Sequence, residues 1–241
     1  MELSLNCAIS TRHLSFVETG RSTPSRETLA RIAESLEVPL RERNALLLAA
    51  GYAPIYAHRS LDSEEMAPVR GALDRFLRAH EPYPALVVDR GHDIVAANDA
   101  LGTLTAGCAP ELLEPPANAI RVALHPEGMA SRTVNLGEWS AHLISRLRRE
   151  AAITGDPRLE ALRIEVSDYP GVQTAEPTGD RAANDVVVPL RLREGDRELV
   201  FLSTIATFGT PVDVTVAELS VEAFYPADAN TAMRLLDEIT G

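Results

Sequence analysis

The chain has 241 residues, 45% apolar, 5% aromatic and 24% charged, with a formal net charge of −12 and no lysine at all. That length suits one large domain or two modest ones, and the composition excludes a disordered, fibrous or membrane-embedded chain. No apolar run approaches the roughly 18 residues that would span a bilayer, and no basic flank precedes a hydrophobic stretch near Met1, so a cytoplasmic protein with no membrane partner is expected.

The charge is unevenly spread. Residues 1–59 carry seven arginines against six acids, whereas residues 60–241 carry 16 against 29. A strongly acidic chain is a poor partner for phosphates, but the acid excess lies wholly in the second segment and leaves the first free to meet DNA. Cys7 and Cys108 fit no metal-ligand or redox spacing and are expected as buried free thiols.

In chain order, residues 3–51 read as short helical units. Ser10 caps a helix with Leu14 and Val17 inward, ended by Gly20. Thr23-Pro24 then opens a second helix with Leu29, Ile32, Ala33 and Leu36 on its inner face. Val38-Pro39 breaks the chain, and a third helix through Leu40, Leu46 and Leu47 ends at Gly51. Residues 55–66 read as a linker. A helix over 66–80 places Val69, Leu73, Phe76 and Leu77 together, and residues 84–97 read as a hairpin turning at 89–93.

Asn98 is expected to cap a helix to Ala106, and residues 107–135 to form loop with short helical turns. The spacing of Trp139, Leu143 and Leu147 predicts a helix over 137–152, and another follows over 157–167. Residues 170–184 read as loop. The period then changes to two: a strand over 186–193, a turn at Glu194-Gly195-Asp196, and a central strand over 198–208 that is apolar on both faces. A third strand, around 214–225, has Leu219, Val221, Ala223 and Tyr225 opposite Glu218, Ser220 and Glu222. A closing helix over 229–239 buries Ala232, Leu235, Leu236 and Ile239. These elements predict a five-stranded antiparallel sheet with helices on one face, an α+β sensor-like layout, in residues 67–241.

The run Ser10-Thr11-Arg12-His13-Leu14-Ser15-Phe16-Val17-Glu18-Thr19-Gly20-Arg21 resembles the recognition helix of the phage-repressor (XRE) helix-turn-helix family. Together with residues 39–54, His80-Glu81-Pro82-Tyr83-Pro84, Leu124-His125-Pro126 and Asn135-Leu136-Gly137-Glu138-Trp139, it resembles the XRE regulators that carry a MmyB-like, PAS-related ligand-binding domain. The resemblance implies a two-domain regulator, with a lambda-repressor-like all-α DNA-binding domain over 1–54 and a PAS-like sensor after the linker. It also implies a small, apolar or fatty-acyl-like ligand. The family's first helix, and the Gln that commonly opens its second, are not found in residues 1–54. The helix-turn-helix is therefore expected to be cut short at its N-terminus, either by a start downstream of the natural one or by a loss of DNA binding.

The residue chemistry assigns roles within that frame. With Leu14 and Val17 inward, Thr11, Arg12, Ser15 and Phe16 face outward. Arg12 can donate two hydrogen bonds to guanine, and Thr11 or Phe16 can meet a thymine methyl. Ser10, Arg21, Ser25 and Arg26 sit at helix starts or turns, where phosphate contacts are made. Candidate walls of the sensor pocket are Trp139, Leu143, Phe201 and Phe208, with Phe201 and Phe208 on opposite faces by parity. Each of these residues can also be ordinary core, as Arg12 and Arg26 can be ordinary surface charge. Asn98 and Asn135 are read as helix caps, and His125 as structural.

Double-stranded DNA, a small ligand and a second copy of the chain are the expected partners, since helix-turn-helix proteins read paired half-sites. No cofactor or metal is expected. An enzyme is the rival class, but the familiar nucleophile-elbow, zinc and phosphate-loop motifs do not occur, and a chain without lysine forms no Schiff base.

Overall fold

In a computed structural model, the described residues are Cys7, 9–175 and 187–240, with side chains described to residue 237. The expected loop over 176–184, Val186 at the start of the expected strand and the burial of Ile239 lie outside them. The chain divides into two compact units, Met1–Met66 with Gly209–Ala217, and Ala67–Phe208 with Glu218–Gly241.

The first unit is helical, with α1 (Thr11–Glu18), α2 (Arg26–Ser35) and α3 (Leu40–Ala49). Ser10 caps α1, its hydroxyl accepting from the His13 N–H at 3.1 Å, and Gly20 takes the left-handed φ of 69° that ends it. The second helix starts later than Thr23-Pro24 suggests. Ser25 has the extended backbone of an N-cap and its hydroxyl accepts from the Thr28 N–H at 3.2 Å, so this cap wins over the proline start. Ala33 and Leu47 are buried, but Leu36 and Leu46, expected inside, are 54% and 40% exposed. Leu36 is the C-cap of α2, past the last full turn, which takes it off the inner stripe.

Residues of the expected linker are held in this unit. The Asn44 amide accepts from the Ile55 and Tyr56 N–H groups at 3.1 Å and donates to the Tyr56 carbonyl at 2.8 Å. Ala57 bridges Asp213, and Arg59 pairs with the buried Asp213 carboxylate at 2.9 Å. Asp213 opens α10 (Val214–Ala217), a short helix packed on α3.

The second unit opens with α4 (Ala67–His80), which buries Leu73, Leu77 and His80, while Phe76 lies half out and stacks on His80. Strands β1 (Ala85–Val88), β2 (Ile94–Ala97), β3 (Leu190–Glu194), β4 (Arg197–Thr207) and β5 (Ser220–Pro226) form one antiparallel sheet in the order β2-β1-β5-β4-β3. Between β2 and β3 run α5 (Leu101–Thr105), α6 (Pro110–Leu113), α7 (Ala119–Leu124), α8 (Leu136–Thr154) and α9 (Pro157–Ser167), and α11 (Ala229–Thr240) closes the chain.

The core forms where the Trp139, Leu143, Ile144 and Leu147 stripe of α8 meets Leu86, Val88, Leu190, Leu192, Phe201 and Phe224 of the sheet. Burying this many large side chains, at about 25 cal/mol per Å² of apolar surface, is the main force that holds the unit together. Helices are not confined to one face as expected. Tyr225 shares a face with Ala223 and its partner Ala85, away from α8, and its ring meets His80 of α4 at 4.8 Å. That contact explains why β1 is buried on both sides.

Three further expectations fail for identifiable reasons. β4 is central, but it is buried only at Leu199 and Phe201. Beyond Phe201 it outruns β3, and Leu202 and Ile205 are 37% and 48% exposed. Asn98 does not cap α5. Its amide instead accepts from the Ala85 N–H at 2.9 Å and donates to the Tyr83 carbonyl at 2.8 Å, satisfying edge groups that β1 leaves open. Asn135 sits at the start of α8 without capping it, and ties β3 down through the Pro189 carbonyl at 2.8 Å and the Arg191 N–H at 3.2 Å.

Candidate functional site

An apolar cavity lies between the sheet and α5, α7 and α8. Its volume is about 50 Å³, so it is a narrow slot. Leu86 and Ile94 of the hairpin, Leu190 of β3, Phe224 of β5, Leu104 of α5, Ile120 of α7 and Trp139 and Leu143 of α8 line it, with Met129 from the preceding turn. Gly128 fixes that turn. A Cβ at Gly128 would lie 2.3 Å from the Val122 carbonyl oxygen, a separation no side chain tolerates, so only glycine brings Met129 so close to α7.

Three of the lining residues carry polar side-chain groups: Thr105, Trp139 and Glu222. The Thr105 hydroxyl donates to the Leu101 carbonyl at 3.2 Å. Trp139 is 4% exposed, and its indole Nε1–H is buried without a partner among the described residues. Such an orphan donor costs about 1–3 kcal/mol unless something accepts from it. Glu222 is 9% exposed, although the alternation of β5 predicts an outward residue. β5 is the middle strand of the sheet, so helices cover the face on which a polar residue was expected to meet water.

Glu222 is neutralised from behind. Arg146, two turns after Trp139 on α8, forms an ion pair with it, placed by distance but not aligned as a hydrogen bond. Arg146 also reaches Glu150 at 3.4 Å and His92 Nδ1 at 3.4 Å, while His92 Nε2 lies 2.6 Å from Glu150. Burial pushes the Glu150 carboxyl up, but the His92 hydrogen bond and the charges of His92, Arg146 and Arg149 outweigh it and hold Glu150 below its ordinary value. His92 reaches this place from the tip of the β1–β2 turn with a left-handed φ of 63°, an uncommon conformation for a residue with a side chain. Asp89 braces the turn by accepting from the Gly91 and Asp93 N–H groups at 2.7 and 3.0 Å.

Of the four residues proposed for the pocket wall, the structure brings Trp139 and Leu143 to the cavity and not the other two. Phe201 is fully buried in the core beside it, and Phe208 lies beyond the end of β4. Glu222, Arg146 and His92 escaped the sequence reading. One signal was available for Arg146: it continues the stripe of Trp139 and Leu143 at helical spacing.

Residues 69–236 match the family model of the MmyB-like transcription regulator ligand binding domain. The chain belongs to that family. This domain is the ligand-sensing part of transcription regulators, and the match covers the whole cavity described above. No curated protein matches the chain. Among solved structures it is similar to "Structure of an RNA-binding Light-Oxygen-Voltage Receptor", at 14% identity and a TM-score of 0.28, with 99% of this chain covered. The chain spans 55% of that structure's length.

In the first unit, Thr11, Arg12 and Ser15 are exposed on α1, and Phe16 is half-buried with the Arg12 guanidinium 5.3 Å from its ring centre. Ser10 and Ser25 are the caps of α1 and α2, and Arg21 and Arg26 are exposed beside them. Both cysteines are free: Cys7 is buried, and burial pushes the half-buried Cys108 thiol up. Among the described residues no helix is long and apolar enough to cross a membrane, and no group of three His, Cys, Asp or Glu could hold a metal.

Proposed function

We propose that the protein is a cytoplasmic, DNA-binding transcription regulator of the XRE kind, whose PAS-like second unit senses a small apolar ligand. The observation that carries this reading is the narrow apolar cavity inside a domain of the MmyB-like ligand-binding family. Apolar walls with a few placed polar groups are the usual make-up of a small-molecule site.

For DNA, the reading is supported by the exposed row of Thr11, Arg12 and Ser15 on a capped helix. Stacking on Phe16 holds the Arg12 guanidinium on the outer face, ready to donate two hydrogen bonds to one guanine. Ser10, Arg21, Ser25 and Arg26, at the helix starts and the turn between them, serve as phosphate contacts, and a homodimer reads two half-sites. Fluorescence anisotropy with the DNA upstream of the protein's own coding region tests this. Arg12→Ala is expected to cost about 1–3 kcal/mol at one base position, and Arg26→Ala to weaken all sequences alike and reduce the salt slope by about one. Equal loss across sequences for Arg12→Ala would reassign it to phosphate.

A second reading is a ligand-binding, dimerising module without DNA affinity, favoured by the absence of any buried residue on α1. Failure to bind that DNA even at low salt would select it. Turnover of an acyl substrate, followed by mass spectrometry, would instead make the protein an enzyme.

A further inference from the structure

We infer that the free edge of β4, over residues 203–207, is where two copies of the chain join, each β4 pairing antiparallel with the other about a two-fold axis at Ile205. The inference rests on the homodimer of the proposed regulator and names its surface.

Backbone direction decides which groups are open. Phe224 donates its N–H to the Pro84 carbonyl at 2.9 Å, so its backbone groups point towards β1, and those of Ala223 and Tyr225, one residue to either side, point towards β4. Their partners Thr204 and Leu202 therefore face β5, while Ser203, Ile205 and Thr207 turn their N–H and carbonyl groups the other way. β3 fills that side only as far as Phe201. Among the described residues no other segment sends a backbone hydrogen bond to these three. The sheet's two outermost strands are met by other segments: Asn118 bridges Asp93 at the start of β2, and Thr133 bridges Leu192 of β3.

Open edges are ordinarily guarded by charge, proline or a bulge. Residues 203–207 have none of these. No charged residue occurs from Leu199 to Val212, and the β4–β5 register runs without a shift. In a chain of net charge −12, a charge-free edge is where a second copy approaches with least repulsion, and it offers a charged partner nothing to hold.

The edge is also complementary to itself. With Ile205 opposite Ile205 of the second copy, Ser203 lies opposite Thr207 in both directions, so all three outward-facing residues form hydrogen-bonded pairs. A shift of two residues either way leaves one of the three outside the ladder. The pairing covers the Ile205 side chain, 48% exposed, and sets the exposed Thr204 and Ala206 side by side on the opposite face.

Sedimentation velocity of the full chain over a range of concentrations tests this. A species of twice the 26.1 kDa chain mass is expected. Ile205→Lys places two like charges on the axis, and Ile205→Pro removes an N–H that the single chain leaves unpaired. Each should raise the dimer dissociation constant at least tenfold, with circular dichroism confirming the fold. Val95→Lys, at an exposed position on β2, should leave it unchanged. Under mild oxidation Ile205→Cys should give a covalent dimer, because a hydrogen-bonded pair holds its Cα atoms about 5.5 Å apart, within disulfide reach, whereas Val95→Cys should not. A dimer that withstands both Ile205→Lys and Ile205→Pro and gives no covalent species from Ile205→Cys would overturn the inference and leave the homodimer reading standing. A chain that stays monomeric at every concentration would remove both.

Discussion

The two helices that carry the proposed functions are built in opposite ways. α8 has 19 residues and buries seven of them, from Trp139 to Leu147, whereas α1 has eight and buries none. An isolated helix of eight residues is not stable in water, so α1 depends on its ends: the Ser10 cap and the Thr19 hydroxyl donating to the Ser15 carbonyl at 2.7 Å. The comparison teaches that this chain invests its packing in the domain that holds a ligand and leaves the helix that would read DNA to local bonds.

Substitutions that empty the packed helix should therefore cost most. Leu147, fully buried on α8, is expected to lose about 2–5 kcal/mol as Leu147→Ala. Leu14→Ala on α1, where the side chain is only half-buried, should stay under about 1 kcal/mol. Urea denaturation followed by Trp139 emission checks the first, and equal losses at the two sites would break the contrast. Arg146→Ala comes next. It leaves Glu222 buried beside the cavity without its cation, and a loss of about 3 kcal/mol, the low end for a broken buried pair, is expected, partly recovered by adding Glu222→Gln. A thermal melt of the single and double variants measures that coupling.

How much of this was legible follows the same division. The stripe of Trp139, Leu143 and Leu147 and the alternation of the hairpin repeat with the period of their elements, so α8, β1 and β2 could be placed from sequence. Glu222 could not. Parity says only that it lies opposite Val221 and Ala223, and β5's place in mid-sheet is a long-range fact. Asn98 and Asn135 look like caps because caps are the local use of asparagine. Their actual partners, Ala85 in one case and Pro189 in the other, are 13 and 54 residues away. Likewise nothing local marks residues 209–217 as leaving the sheet to join the helical unit through Asp213 and Arg59.

Smaller effects sharpen the contrast further. Ser10→Ala should remove about 1 kcal/mol from α1 alone. Hydrogen exchange would show this as faster exchange over 13–18 with α8 unchanged; faster exchange in α8 as well would mean the two helices do not act independently. The smallest expected effect is acid sensitivity. Hydrogen bonds from Arg121, at 2.7 and 2.8 Å, and from Tyr169 hold the Glu165 carboxyl below its ordinary 4.5 despite partial burial. Its folded value lies below its unfolded one, so its contribution is complete above pH 4.5 and is lost as pH falls through the folded value. Glu165→Gln should flatten that limb of a stability–pH curve. The pair is more than a third exposed, which keeps the effect small.

The central proposal is that a ligand in the cavity alters the affinity of the first unit for DNA. Anisotropy of the upstream DNA, titrated with and without enough of a small apolar ligand to saturate the response of Trp139 in the cavity wall, tests it most directly. The account predicts that DNA affinity shifts at least fivefold, the low end of ordinary coupling between two sites. An identical affinity in both titrations, with Trp139 fully responding, would contradict it.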